Sequence, residues 1–120
     1  MKIGDIAKKT GLTAHTLRYY ERIGLLPYAR RDDAGQRYYD RAILPWIAFL
    51  QRLKTTGMPI RDMLRYAALR DGGTATLPDR RRLLEAHRQK VRAHITELQS
   101  SLLVLDAKIA GYTDANVTEE

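Results

Sequence analysis

The run from Leu12 to Pro27, LTAHTLRYYERIGLLP, constrains this chain more than any other stretch. Thr13 is placed to accept the first backbone N–H groups of a helix. Gly24 stands where a helix end needs a residue free to take positive φ, and Pro27 follows as a stop. Between them Leu17, Tyr20 and Ile23 share one face, while His15, Arg18, Tyr19 and Arg22 lie off it. A short helix with an apolar back and a cationic, aromatic front is the kind of element a duplex groove admits. Upstream, Ile3, Ile6 and Ala7 mark the face of a first helix, from about Gly4 to Thr10, closed by Gly11. Helix, tight glycine turn and helix together predict a helix-turn-helix.

Beyond Pro27 the pattern changes. Asp32-Asp33-Ala34-Gly35 is turn chemistry, flanked by arginines and tyrosines that tolerate extended backbone. This predicts a β-hairpin, or wing, over about 28–39. Alternation puts one of Tyr38 and Tyr39 inside, and Tyr38 is expected outward. A third helix is expected from about Ala42 to Thr56, with Asp40 as its cap and Ile43, Trp46, Ile47, Leu50 and Leu53 inward. Pro45 is acceptable there only in the first turn. Gly57 breaks that helix. Pro59 opens a fourth, with Ile60, Met63, Leu64 and Ala67 inward, and residues 71–76 read as a loop.

Pro78 opens the last and longest helix, expected to run to Ala110, about 50 Å at 1.5 Å per residue. Leu84, Val91, Ile95, Leu98, Leu102, Leu105 and Ile109 follow a four-three spacing, broken only by Arg88. Such a narrow stripe is the seam of a coiled coil, so these seven residues are the expected homodimer interface. The fold class is therefore mainly α. A winged helix-turn-helix DNA-binding domain over 1–75 is followed by a dimerisation coiled-coil helix over 76–111 and a short tail over 112–120.

The charge is uneven. Of the formal +7, residues 1–58 carry +6, from 11 Lys/Arg against 5 Asp/Glu. The first half is thus the part suited to a polyanion. No run is long and apolar enough to span a membrane, and the N-terminus lacks a signal-peptide core, so a cytoplasmic location is expected. The absence of cysteine excludes thiolate metal binding and thiol redox sensing. His87 and His94 are seven apart and too few for a metal site, and no cofactor is expected. No nucleophile-base pair or glycine-rich phosphate loop is present, so an enzyme is not expected.

The motifs Ile3-Gly4-Asp5-Ile6-Ala7 and Thr13-x-x-Thr16-Leu17-Arg18-Tyr19-Tyr20-Glu21-x-x-Gly24-Leu25-Leu26 resemble the MerR family of bacterial transcription regulators. So do Arg30-x(4)-Gly35-x-Arg37-x-Tyr39 and Phe49-Leu50-x-x-Leu53-x-x-x-Gly57. The resemblance implies a homodimer joined by an antiparallel coiled coil. It implies an inverted repeat in a promoter spacer, bent and untwisted so that RNA polymerase can engage it. Carried onto this chain, Arg18 and Tyr19 contact DNA from the second helix, with Thr13 and Thr16 near phosphate at its start. Ala14 and His15 sit where sequence choice is expected. Arg30, Arg31, Arg37 and Tyr38 hold phosphates from the wing, and Lys54 adds another. Surface ion pairs, Arg18 with Glu21 or Arg22 with Asp5, are the competing reading. Family members that sense metals or redox use cysteines beyond the coiled coil, and residues 112–120 are too few to enclose a ligand; the effector is unknown, the alternatives being a small molecule at the dimer interface, a protein partner acting on the acidic tail, or protein abundance alone. The alternative function is a DNA architectural or recombination accessory factor.

Overall fold

The computed structural model describes residues 1–113; the part of the expected tail beyond them lies outside it. The chain divides into two compact units, Met1–Leu83 and the residues from Leu84 on. The first contains α1 (Ile3–Thr10), α2 (Ala14–Ile23), β1 (Arg30–Arg31), β2 (Arg37–Tyr38), α3 (Ile43–Thr55) and α4 (Ile60–Asp71). A single 3-10 turn, Gly73–Thr76, leads into α5 (Leu77–Gly111), which supplies most of the second.

The local chemistry explains each boundary. The Thr13 hydroxyl accepts from the Thr16 N–H at 3.1 Å, capping α2. Gly24 ends it at φ 94°, and the Leu25 N–H then donates back to the Tyr20 carbonyl at 2.8 Å. Only a residue without a Cβ takes that φ without strain. In the hairpin, Arg30 pairs with Tyr38 and Arg31 with Arg37, antiparallel. Its turn is held by the Asp32 carboxylate, which accepts from the Ala34 and Gln36 N–H groups, while Gly35 adopts φ 79°. Asp40, expected as the cap of α3, instead holds the turn before it, accepting from the Ala42 N–H at 2.9 Å; the N-cap itself is Ala42, with no side-chain cap. Pro45 is the third residue of α3, within the first turn, where its missing N–H has no helical partner to lose.

The core of this unit is built from Ile6, Leu17, Leu25, Ile47, Leu50 and Met63, all fully buried. Each element contributes an apolar stripe too narrow to be stable alone, and the shared core satisfies them all. Two polar ties fix the elements on one another. The Trp46 indole N–H donates to the Leu25 carbonyl at 2.8 Å, and Gln51 donates to the Thr10 carbonyl at 3.1 Å, closing the end of α1. Tyr66 stacks on Trp46 at 5.9 Å between centroids, and the Arg70 guanidinium lies 4.2 Å from the Trp46 ring.

The structure corrects three further expectations. Residues 73–76 are a 3-10 turn rather than loop, because the Thr76 hydroxyl donates to the Leu69 and Gly73 carbonyls. Gly72 fits closely beneath it: a Cβ there would stand 2.6 Å from the Thr76 methyl. Ile60 is 44 % exposed rather than inward, since it is the first residue of α4 and only Met63 and Ala67 point fully into the core. Glu21 is not a surface partner for Arg18. It is 9 % exposed and accepts a short hydrogen bond from the buried Tyr39 hydroxyl.

In the second unit, α5 has no buried residue. Ile95, Leu98, Leu102, Leu105 and Ile109 are 48–64 % exposed, while Leu84 and Val91 are half-buried.

Candidate nucleic-acid interface

The start of α2 presents a small polar platform. The Thr13 hydroxyl also donates to the Thr16 hydroxyl at 3.0 Å, so the two side chains brace one another beside free helix N–H groups. Thr13 and His15 are exposed; Ala14 and Thr16 are half-buried. One turn on, Arg18 is exposed, and the Arg22 guanidinium lies 5.7 Å from the centroid of the exposed Tyr19 ring. Tyr20 faces inward with Leu17, because both fall on the apolar face of a 3.6-residue helix.

The wing places Arg30, Arg31 and Arg37 on its exposed surface, with Tyr38 half-buried. Tyr39, the next residue, turns inward as β-alternation requires, and is 5 % exposed. Both backbone groups of Tyr39 are paired with Met1: its N–H donates to the Met1 carbonyl and its carbonyl accepts from the Met1 amino group. The wing is therefore tied to the start of α1 through the backbone and to α2 through the Tyr39–Glu21 bond. Burial, then the bond to Glu21 and its negative charge, push the Tyr39 phenol up to about 12. Arg37 and Arg18 pull the other way, so both guanidinium charges are felt at this ring.

These ties create a cleft of about 390 Å³ lined by Lys2, Ile3, Arg18, Arg31, Gly35, Gln36, Arg37 and Tyr39. Four cations, Lys2 just ahead of α1, Arg18 on α2 and Arg31 and Arg37 on the two wing strands, thus border one concave space. Arg31 is pre-oriented, donating to the Gly35 carbonyl at 2.8 Å. Concentrated positive charge with fixed donors suits phosphate oxygens. Of the residues expected from sequence, Arg18, Arg31 and Arg37 line this cleft. Thr13, Ala14, His15, Thr16, Tyr19, Arg30 and Tyr38 are not in its lining; the first five belong to α2 or its cap and the last two to the strands. Lys54 lies elsewhere, on the last turn of α3, with its ammonium 3.3 Å from the Tyr20 hydroxyl and 6.0 Å from that ring. Lys2 was missed, because its part in the cleft depends on the tertiary tie between Met1 and Tyr39. Arg22 had a weak sequence signal, its place on the cationic face beside Tyr19. Among the described residues no group of three or more His, Cys, Asp or Glu is arranged to hold a metal. No helix among them is long and apolar enough to cross a membrane.

Comparison with known proteins agrees in both parts of the chain. Residues 2–39 match the profile of the MerR family regulatory protein, and residues 44–108 match the MerR DNA-binding profile. An HTH-type transcriptional regulator of Haemophilus influenzae is 39 % identical over 109 residues, covering 91 % of this chain and 81 % of that protein. The HTH-type transcriptional regulator AdhR of Bacillus subtilis is 41 % identical over 91 residues, covering 76 % of this chain and 65 % of AdhR. Among solved structures, HiNmlR, a MerR family regulator lacking the sensor domain and bound to promoter DNA, superposes with a TM-score of 0.84. It has 38 % identity, with 93 % of this chain and 89 % of that one covered. A helix-turn-helix with a cationic wing, both profiles in sequence, and relatives at this identity converge on one conclusion: the chain belongs to the MerR family of DNA-binding transcription regulators.

Proposed function

We propose that two copies of this chain, joined through α5, bind an inverted repeat in a promoter spacer and distort it to control initiation. The observation that carries this reading is the cleft of Lys2, Arg18, Arg31 and Arg37 beside the exposed front of α2. The front of α2 enters a major groove, with Arg18 and His15 toward base edges and Tyr19 and the Thr13–Thr16 pair on the backbone. Arg30, Arg31, Arg37 and Tyr38 take flanking phosphates, and Lys54 adds a further contact from α3. The exposed stripe on α5 links two such modules, so the second half-site is met at high effective concentration. HiNmlR was crystallised on promoter DNA, and the shared fold supports the same class of ligand here. Two linked modules on one duplex pay for bending through added backbone contacts, and the distorted spacer is what RNA polymerase meets. Such a partner places the protein in the cytoplasm, with the chromosome.

Run-off transcription from a bound promoter tests the proposal. The protein is expected to change the yield of initiated transcripts at concentrations that saturate a band shift. Binding that leaves initiation unchanged would replace the reading with an architectural or recombination accessory role.

A further inference from the structure

Trp46 is the one tryptophan of the chain, and its ring is held in place from several sides. Its indole N–H donates to the Leu25 carbonyl, and the Tyr66 ring lies nearly parallel to it, at 16°. Phe49 completes the aromatic cluster, with its centroid 6.3 Å from Trp46 and 5.5 Å from Tyr66. The Arg70 guanidinium rests over the indole, four residues after Tyr66 on the same helix. Arg70 is exposed, and among the described residues no hydrogen bond or ion pair holds its guanidinium. The aromatic platform is therefore fixed, while the cation on it is kept there by a cation–π contact on a flexible stem.

Two clefts of about 140 Å³ each have Pro27, Trp46 and Arg70 as shared walls. Asp71, the last residue of α4, borders one of them, and Asp40 borders the other. We propose that these clefts form one binding site for a small planar organic cation, such as an aromatic amidinium, with Arg70 as its internal stand-in. A delocalised cation is weakly hydrated and stacks on an indole face as a guanidinium does. When Arg70 swings aside, the two clefts and the space it leaves approach the roughly 300 Å³ at the small end of ligand sites. The walls then carry two carboxylates and no cation, so an arriving positive charge is attracted and a negative one repelled. An anion drawn to Arg70 where it stands meets the same two carboxylates. The site lies within the first unit, against the Gly24–Pro27 link between α2 and the wing. It shares no residue with the cationic cleft beside α2. It goes beyond the DNA-binding reading by giving the chain a small-molecule input that needs no thiol.

With one tryptophan in the chain, its fluorescence reports on this site alone. Benzamidinium titrated into the full chain is expected to give a saturable change in emission within about 10 mM. Benzoate, a planar anion of nearly the same shape, is expected to give none. Arg70→Ala is expected to tighten benzamidinium binding by about two- to fivefold, because the internal competitor is gone. Arg70→Gln, which keeps a long uncharged side chain, is expected to act in the same direction. The Asp40→Asn/Asp71→Asn protein is expected to bind about threefold more weakly or worse. Asparagine at 40 retains an acceptor for the Ala42 N–H, and far-UV circular dichroism checks that each variant is folded. A folded native chain whose emission does not respond to benzamidinium would overturn the site. Benzoate binding as tight as benzamidinium would overturn its preference for a cation. Unchanged or weaker benzamidinium binding in both Arg70 variants would overturn the role of Arg70 as its stand-in.

Discussion

Tyr39 couples three parts of the first unit: the start of α1 through its backbone, α2 through Glu21, and the wing, whose strand β2 it directly follows. A buried carboxylate without a donor is costly, so Tyr39→Phe is expected to destabilise the fold by about 1–3 kcal/mol in denaturant unfolding. The same bond predicts a pH dependence. The folded phenol releases its proton near 12 and an unfolded one near 10, so the fold holds the proton more tightly. The stabilisation is therefore complete below pH 10 and is lost as pH rises toward 12, by no more than roughly 2–3 kcal/mol. Unfolding curves of wild type and Tyr39→Phe are expected to converge over that window; parallel curves would contradict the assignment. On DNA, Arg18→Ala is expected to cost about 1–3 kcal/mol and to relax preference at one base position. Arg37→Ala is expected to weaken all sequences alike and to lower the salt slope by about 1, which band shifts across salt concentrations would measure. Alternation in the wing made one inward tyrosine legible from sequence, and Tyr39 fills that place; Tyr38, expected outward, is half-buried. The burial of Glu21 was not read, although it stands four residues after Leu17 on the same face, because a carboxylate defaults to solvent until a donor is known.

At the scale of elements, α2 and α5 were legible because each carries its own signals. Thr13 and Gly24 bound α2, and the four-three spacing marks α5 as one long helix. The 3-10 turn at Gly73–Thr76 was not legible. Its composition reads as loop, and the bonds from Thr76 to Leu69 and Gly73 emerge only once α4 is in place. The Pro59 boundary predicted the start of α4, but not that Ile60 in its first turn would stay half in solvent. Removing the α2 cap with Thr13→Ala is expected to cost about 1 kcal/mol of stability, seen as a lower denaturant midpoint with an unchanged slope. For α5, Leu98→Glu sets a charge in the middle of the proposed seam. Monomers are expected by sedimentation, with operator affinity falling because one module alone forfeits the linked second contact. A Leu98→Glu protein that remains dimeric would show that the seam is not the interface.

For the whole molecule, the uneven charge anticipates the division of labour. Residues 1–58 carry +6 of the total +7, and they include all four cations of the cleft. The apolar residues exposed on α5 are the surface that the proposed second copy covers. That the chain reads duplex DNA as a twofold pair is the claim on which the proposed function depends. Selection of bound fragments from random-sequence DNA by the full chain tests it directly. The account predicts enrichment of an inverted repeat whose half-site centres are separated by about 34–36 Å or a multiple of it, one face of the duplex meeting both modules. Recovery of a single unpaired half-site, or of no enriched sequence, would contradict it.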